Sequence, residues 1–327
     1  MRIVIALGGN ALLQRGQKPD ASLQQDNVEA TVAALAPLAA HHELVITHGN
    51  GPQIGVLALE SASDPNLTLP YPFDVLGAQT QGMIGYWLLQ ALQNEVPGRE
   101  VACIINQTLV DADDPAFDDP TKFIGEVYDE AEARRVAAER GWAVKPDGTR
   151  WRRVVGSPAP RHVVETGTIR LLLDSGAIVV CAGGGGVPVI RDGRGHLAGI
   201  EAVIDKDLTA SMLARELGAD ALLILTDVAH VYRHFGTPDQ APVTSATPAE
   251  LRELDVPAGS MGPKVEAAAS FVEATGGRAA IGNLDDAPGL LEGTSGTTVT
   301  PGRARTREPE LGDSGRARRN GGRVSPC

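Results

Sequence analysis

Cysteine is scarce and unpaired in this 327-residue chain: Cys103, Cys181 and Cys327 stand far apart, and an odd three cannot make a disulfide framework. That pattern points to a reducing, cytoplasmic compartment. Aromatic residues make up only 4%. No apolar run approaches the roughly 18 residues of a membrane span. The run after Met1 stops at Gly8-Gly9, too short for the core of a signal peptide. Positive charge is also short, with 29 Lys and Arg against 41 Asp and Glu and a net charge of −12. Nucleic acid and membrane are thereby excluded as main partners. The phosphate-binding signature G-x-x-x-x-G-K-[ST] is absent, so this is not a P-loop protein. What is plentiful is glycine (38), proline (22) and a 43% hydrophobic share, a composition that suits an α/β enzyme with many tight loops. A chain this long buries roughly 75% of its unfolded surface and needs no staple to fold.

The charge is unevenly spread. Residues 301–327 hold seven Arg against three acids, a balance of +4, which leaves −16 on the body. This stretch of Arg, Gly, Pro and Ser reads as a disordered basic tail. Within so acidic a body, a cluster of lysines is informative, because an anionic substrate would need one.

Short apolar runs at residues 2–7, 44–47, 101–105, 177–181, 221–226 and 278–281 read as strands, with helical patterns at 23–40 and 74–95 among the stretches between them. Buried strands alternating with helices predict a mainly parallel sheet covered on both faces, a three-layer αβα sandwich. Residues 111–160 break the alternation. They are acidic and polar, then helical at 130–140, then a hairpin candidate with Lys145-Pro146-Asp147-Gly148 at its turn. An insertion of this size reads as a protruding lid subdomain.

Ligands of open parallel sheets bind beyond the carboxyl ends of the strands. Three glycine clusters fall there: Gly8-Gly9-Asn10, Gly49-Asn50-Gly51 and Gly183 to Gly186. Glycine allows backbone N–H groups to converge on an anion. Gly49-x-Gly51-x-x-x-Gly55 is only a loose cousin of the dinucleotide fingerprint. Asp205-Lys206-Asp207 precedes an amphipathic helix: an Asp as N-cap beside a solvated Lys is one reading, and Lys206 on phosphate oxygens with Asp207 orienting it is the other. Lys264 follows Ser260-Met261-Gly262-Pro263 near a helix start, where a cation opposes the macrodipole and calls for an anion nearby. Lys122 lies in the insertion. His230 and His234 are spaced i, i+4 but lack a third metal ligand, and Val231-Tyr232 between them reads as strand.

The chain resembles the carbamate kinases, within the amino-acid kinase fold. The resemblance is carried by Ala6-Leu7-Gly8-Gly9-Asn10, Thr47-His48-Gly49-Asn50-Gly51-Pro52, Pro120-Thr121-Lys122, Val163-Val164-Glu165-Thr166, Gly183 to Val189, Ala202 to Leu208 and Gly259 to Ala268, in order over nearly all of residues 1–300. It implies an αβα domain over 1–300, with residues from about 200 onward binding nucleotide, a lid at 111–160 and a homodimer. It also implies Mg²⁺-dependent phosphoryl transfer between carbamoyl phosphate and ADP. By the same resemblance Gly8, Gly9, Asn10, Gly49, Asn50 and Gly51 bind the phosphoryl and carbamate groups. Lys122, Lys206 and Lys264 neutralise charge and Asp207 organises the lysines. Thr226, Asp227, Val228, Val231, Tyr232, Met261 and Gly262 line the nucleotide pocket, and Mg²⁺ is held mainly by nucleotide phosphates. Acylamino-acid kinases resemble a pattern with Lys two residues before the glycine pair; here that residue is Ala6, and the resemblance gives its charge to Lys122. Phe123, Glu126, Gly156 and Ala229 depart from the family pattern. Another kinase of this fold with a small acceptor, or a nucleotide-binding sensor without turnover, are the alternative readings.

Overall fold

The structure, a computed structural model, describes residues 1–14, 16–257 and 259–302. The basic tail expected to be disordered lies, from residue 303 on, outside the described residues. The chain begins with β1 (Arg2–Leu7), α1 (Ala21–His41), β2 (Glu43–His48), α2 (Gly51–Ser63), α3 (Phe73–Glu95), β3 (Val101–Cys103) and β4 (Gln107–Leu109). The insertion follows as β5 (Lys122–Tyr128), α4 (Glu130–Arg140), β6 (Ala143–Asp147) and β7 (Arg150–Val155). Next come β8 (His162–Val163), α5 (Thr166–Asp174), β9 (Ile178–Val180), β10 (Val187–Arg191), β11 (Leu197–Gly199) and α6 (Lys206–Leu217). The remainder is β12 (Ala221–Thr226), β13 (Val231–Arg233), β14 (Ala241–Val243), β15 (Ser245–Ala246), α7 (Pro248–Arg252), α8 (Met261–Thr275), β16 (Arg278–Asn283), α9 (Ala287–Glu292) and β17 (Thr297–Val299).

The principal sheet runs β15-β17-β16-β12-β1-β2-β9-β3, parallel except where β16 meets β17. Alternation along β1 explains its two covers. Ile3, Ile5 and Leu7 face a core built with Val28, Val32 and Leu35 of α1 and Ile84 and Leu88 of α3. Val4 and Ala6 face the opposite core, built with Ile169 of α5, Leu213 of α6 and Phe271 of α8. Both faces are buried, so the strand reads as a continuous apolar run. The expected αβα sandwich with a mainly parallel sheet is what forms.

The insertion is a three-stranded antiparallel sheet, β5-β7-β6, with α4 packed on it. The hairpin turn is displaced from the expected place. Lys145, Pro146 and Asp147 continue β6, and the loop is Gly148-Thr149, with Gly148 at φ +63°. Pro146 is tolerated because β6 is an edge strand. The root of the insertion is buried: Ile124 and Val155 pack with Ile54, Phe73, Leu76 and Val203 of the body. Gly55 lies where α2 touches β5, and a Cβ there would sit 3.0 Å from the Gly125 Cα. The third glycine of the loose dinucleotide fingerprint therefore serves close packing.

Candidate active site

The carboxyl ends of β1, β2, β9 and β12 open on one edge of the sheet, and three of the four run into glycine. The Gly8 N–H donates to the Leu225 carbonyl at 2.9 Å, and a Cβ at Gly8 would stand 2.9 Å from that same oxygen. Asn10 lies in the single 3-10 turn that follows, Gly9–Ala11. After β2, a Cβ on Gly49 would stand 3.3 Å from the Gly9 nitrogen, so the first two glycine loops touch. Asn50 precedes α2 with its side chain buried and donating to the Thr80 hydroxyl at 2.9 Å, and Gly51-Pro52 begins the helix, leaving its free N–H groups at the cavity. Burial pushes the His48 imidazole down to about 4. The ring is therefore neutral, and the carbonyl of Gly49, 3.0 Å from Nδ1, assigns the proton to that nitrogen.

The third cluster, after β9, takes unusual backbone angles: Ala182 has φ +52°, and Gly184, Gly185 and Gly186 have +62°, +92° and +90°. A Cβ on Gly184 would collide with the Asn50 amide. Gly184→Ala is accordingly expected to displace Asn50 and break its bond to Thr80, lowering both melting temperature and turnover by more than a surface Gly→Ala change does. Thermal denaturation beside a turnover assay checks this.

Two helix starts and one strand start bring the charges together. Lys206 and Asp207 open α6, and Lys264 sits in the first turn of α8. Lys206 Nζ donates to Asp207 Oδ1 at 2.5 Å and Lys264 Nζ to Oδ2 at 2.9 Å. The Asp207 side chain is 3% exposed. Burial by itself would raise its carboxyl, but the two ammonium groups outweigh burial and hold it well below the usual carboxylate range. Burial lowers Lys206, with Asp207 opposing that shift. At Lys264 burial also works downward, yet Asp207 prevails and raises it. The anion demanded by a lysine at the start of α8 is thus Asp207, on the neighbouring helix. Lys122, the first residue of β5, reaches in from the insertion and donates to Asp205 Oδ2 at 2.7 Å. Three ammonium groups against two carboxylates leave one net positive charge in the cluster.

These lysines, with Gly9, Gly49, Asn50 and Gly51, line a cavity of about 220 Å³. Beside it lies a more apolar cavity of about 330 Å³, lined by Gly8, Thr226, Asp227, Val228, Tyr232 and Met261. Gly9, Pro52, Ser260 and Lys264 line both, so the two cavities meet there. Val231 does not reach the second cavity: its side chain is fully buried in the core, and its N–H bonds the Thr297 hydroxyl. Gly262 is likewise outside the lining and donates its N–H to the Pro257 carbonyl. His230, Phe235, Val256 and Pro257, which no motif singled out for this role, complete the wall. His230 and His234 do not share a helix, because β13 separates them. Among the described residues no group of three or more His, Cys, Asp or Glu side chains could hold a metal ion.

The sequence model of the amino acid kinase family matches residues 1–283. The chain belongs to the amino acid kinase family. Among amino acid kinases it is 50% identical over 305 residues to the carbamate kinase of Rhizobium meliloti, covering 92% of this chain and 93% of that one. It is also 50% identical over 312 residues to the carbamate kinase of Pyrococcus horikoshii, covering 92% and 99%. The solved carbamate kinase of Giardia lamblia bound to AMP-PNP superposes with a TM-score of 0.84 at 40% identity, covering 92% of this chain and 98% of that one. The recognised resemblance and the fold thus coincide, and the chain is a carbamate-kinase-like member of the family. Among the described residues no helix of this amino acid kinase is long and apolar enough to cross a membrane.

Proposed function

We propose that the chain is a carbamate kinase that transfers a phosphoryl group between carbamoyl phosphate and ADP, giving ATP and carbamate. The observation that carries this reading is the meeting of the two cavities at Gly9 and Lys264, with Lys122, Lys206 and Lys264 gathered at the smaller one. The kinship with carbamate kinases at 50% identity supports it.

In this reading the larger cavity takes the nucleotide and the smaller one carbamate, with the moving phosphoryl between them. A terminal oxygen of ADP attacks phosphorus as the bond to the carbamoyl oxygen breaks. The attacking ADP oxygen is already ionised and carbamate leaves as an anion, so the transfer needs neither a general base nor a general acid. What the protein supplies is position and positive charge around spread negative charge. Lys206 and Lys264 meet the phosphoryl oxygens, Lys122 meets the carbamate end, and the glycine-loop N–H groups hold the rest. Asp207 keeps both buried lysines aimed and partly neutralised while no substrate is bound. Among the described residues no side-chain group is built to hold a metal by itself, so Mg²⁺ would enter on the nucleotide phosphates and supply charge neutralisation there. The insertion would act as the lid that keeps water from a reactive acyl phosphate. A cytoplasmic homodimer belongs to the same reading. The short edge strand β3 and the exposed Tyr86 and Val75 of α3 offer a face for the second copy.

ATP formation from carbamoyl phosphate, ADP and Mg²⁺, followed by luminescence, tests the proposal. Rapid ATP formation is expected, and no phosphorylation of acylamino acids by ATP. Nucleotide binding without turnover would leave a sensor, and turnover with a larger acceptor would leave a different kinase of this fold.

A further inference from the structure

Asp205 was visible in the sequence only as part of the Asp205-Lys206-Asp207 run, and the proposed chemistry gives it no task. Its side chain is nevertheless well buried and both of its oxygens are used. Oδ1 accepts the N–H groups of Asp207 at 2.9 Å and Leu208 at 3.3 Å, which caps α6. Oδ2 accepts the Lys122 ammonium at 2.7 Å. We propose that Asp205 is a positioning residue for the phosphoryl transfer: one oxygen fixes the start of the helix bearing Lys206 and Asp207, while the other holds Lys122 at the small cavity.

Three considerations carry this, and they rest on the kinase reading given above. First, a cap alone does not call for a carboxylate. Asn and Ser cap helices about as well as Asp. The negative charge makes its direct ion pair with Lys122, and acts on Lys206 and Lys264 only at longer range, favouring their charged forms. Second, Asp207 pairs with Lys206 and Lys264 and not with Lys122, whose ammonium is held by Asp205. Third, Lys122 needs holding. It sits at the first residue of β5, its side chain is 33% exposed, and it arrives from a separate sheet. A free lysine there would spread over many rotamers. An ammonium has three N–H donors, so one given to Asp205 leaves two for an incoming anion. The salt bridge therefore orients Lys122 without consuming it. A backbone bond from the Val203 N–H to the Gly156 carbonyl, at 3.0 Å, ties the other end of the insertion to the segment leading into Asp205. The geometry thus makes a single carboxylate the joint between the lysine of the insertion and the lysine of the body.

The test is a double-mutant cycle on the full chain, with kcat and the KM for carbamoyl phosphate measured in Asp205→Asn, Lys122→Ala and the double variant. Asp205→Asn keeps the cap, so its melting temperature should stay close to the parent, and Asp205→Ser provides a second variant with the cap kept and the charge removed. Both are expected to lower kcat by up to about 10²-fold, because a misplaced catalytic group costs that much. In the Lys122→Ala background the same changes should cost nothing further, since there is no ammonium left to hold. A kcat that is unchanged in Asp205→Asn while Lys122→Ala is crippled would overturn the positioning role alone. So would a loss of equal size in both backgrounds, which would place the effect of Asp205 on α6. Full turnover in Lys122→Ala would instead remove the assignment of Lys122, and this role with it.

Discussion

Lys206→Ala and Lys264→Ala are each expected to lower kcat by about 10²- to 10³-fold, the loss that follows removal of one preorganised donor to a charged transition state. The KM for ADP should change far less. Both ammonium groups are gathered on Asp207 at 2.5 and 2.9 Å, where they face the small cavity, and the wall of the larger cavity is mostly apolar. An interaction realised mainly as the phosphoryl group moves is felt in kcat, whereas uniform binding is felt in KM. Steady-state kinetics in both substrates decide it. A change confined to KM would make these lysines binding residues only. The two single variants should also fail to add when combined, because Asp207 and the phosphoryl group couple them.

Asp207→Asn should be the most destabilising of the conservative changes at this site. Two lysines, both largely buried, would lose the carboxylate between α6 and α8, and breaking a buried ion pair from one side costs about 3–5 kcal/mol. A fall in melting temperature of roughly 10 °C is the corresponding scale. The pH dependence follows from the depressed carboxyl. A group whose acidity is strengthened by folding contributes stability that is complete above its unfolded value of 3.8 and is lost as pH falls toward its folded value. The gap in melting temperature between parent and Asp207→Asn should therefore persist from neutral pH down to about pH 5 and narrow only in stronger acid. Calorimetry across that range measures it. A variant as stable as the parent at neutral pH would show that the lysines do not depend on this carboxylate.

The strands legible in the sequence are those buried on both faces. Residues 2–7 and 221–226 give unbroken apolar runs and form β1 and β12 at those bounds. β5 escaped notice because Lys122 and Glu126 give it polar character and Gly125, at φ +75°, interrupts its pairing with a bulge. α2 was hidden by Gly51, Pro52 and Gly55, which read as a loop until the tertiary contact with β5 explains the last of them. The second sheet, β11-β10-β4-β8, is built of short strands with little periodicity to find. At the site, the opposition between Lys264 and its helix dipole did announce an anion, and Asp207 is that anion. The partnership of Lys122 with Asp205 spans 83 residues of sequence, and only the folded chain brings those two together. The strand that carries Tyr232 to the cavity turns the side chain of its neighbour Val231 inward, which the sequence did not show.

The buried root of the insertion bears on how such a kinase could have come to have it. Ile124 and Val155 are not an added cap over a finished surface; they complete a core whose other half is Ile54, Phe73, Leu76 and Val203. Cutting out residues 111–160 would leave those four side chains, together with the bare flank of α2, open to water. The excised sheet would in turn carry an apolar sole with nothing to stand on. Body and insertion therefore share one packed core at that root, which belongs to neither part alone.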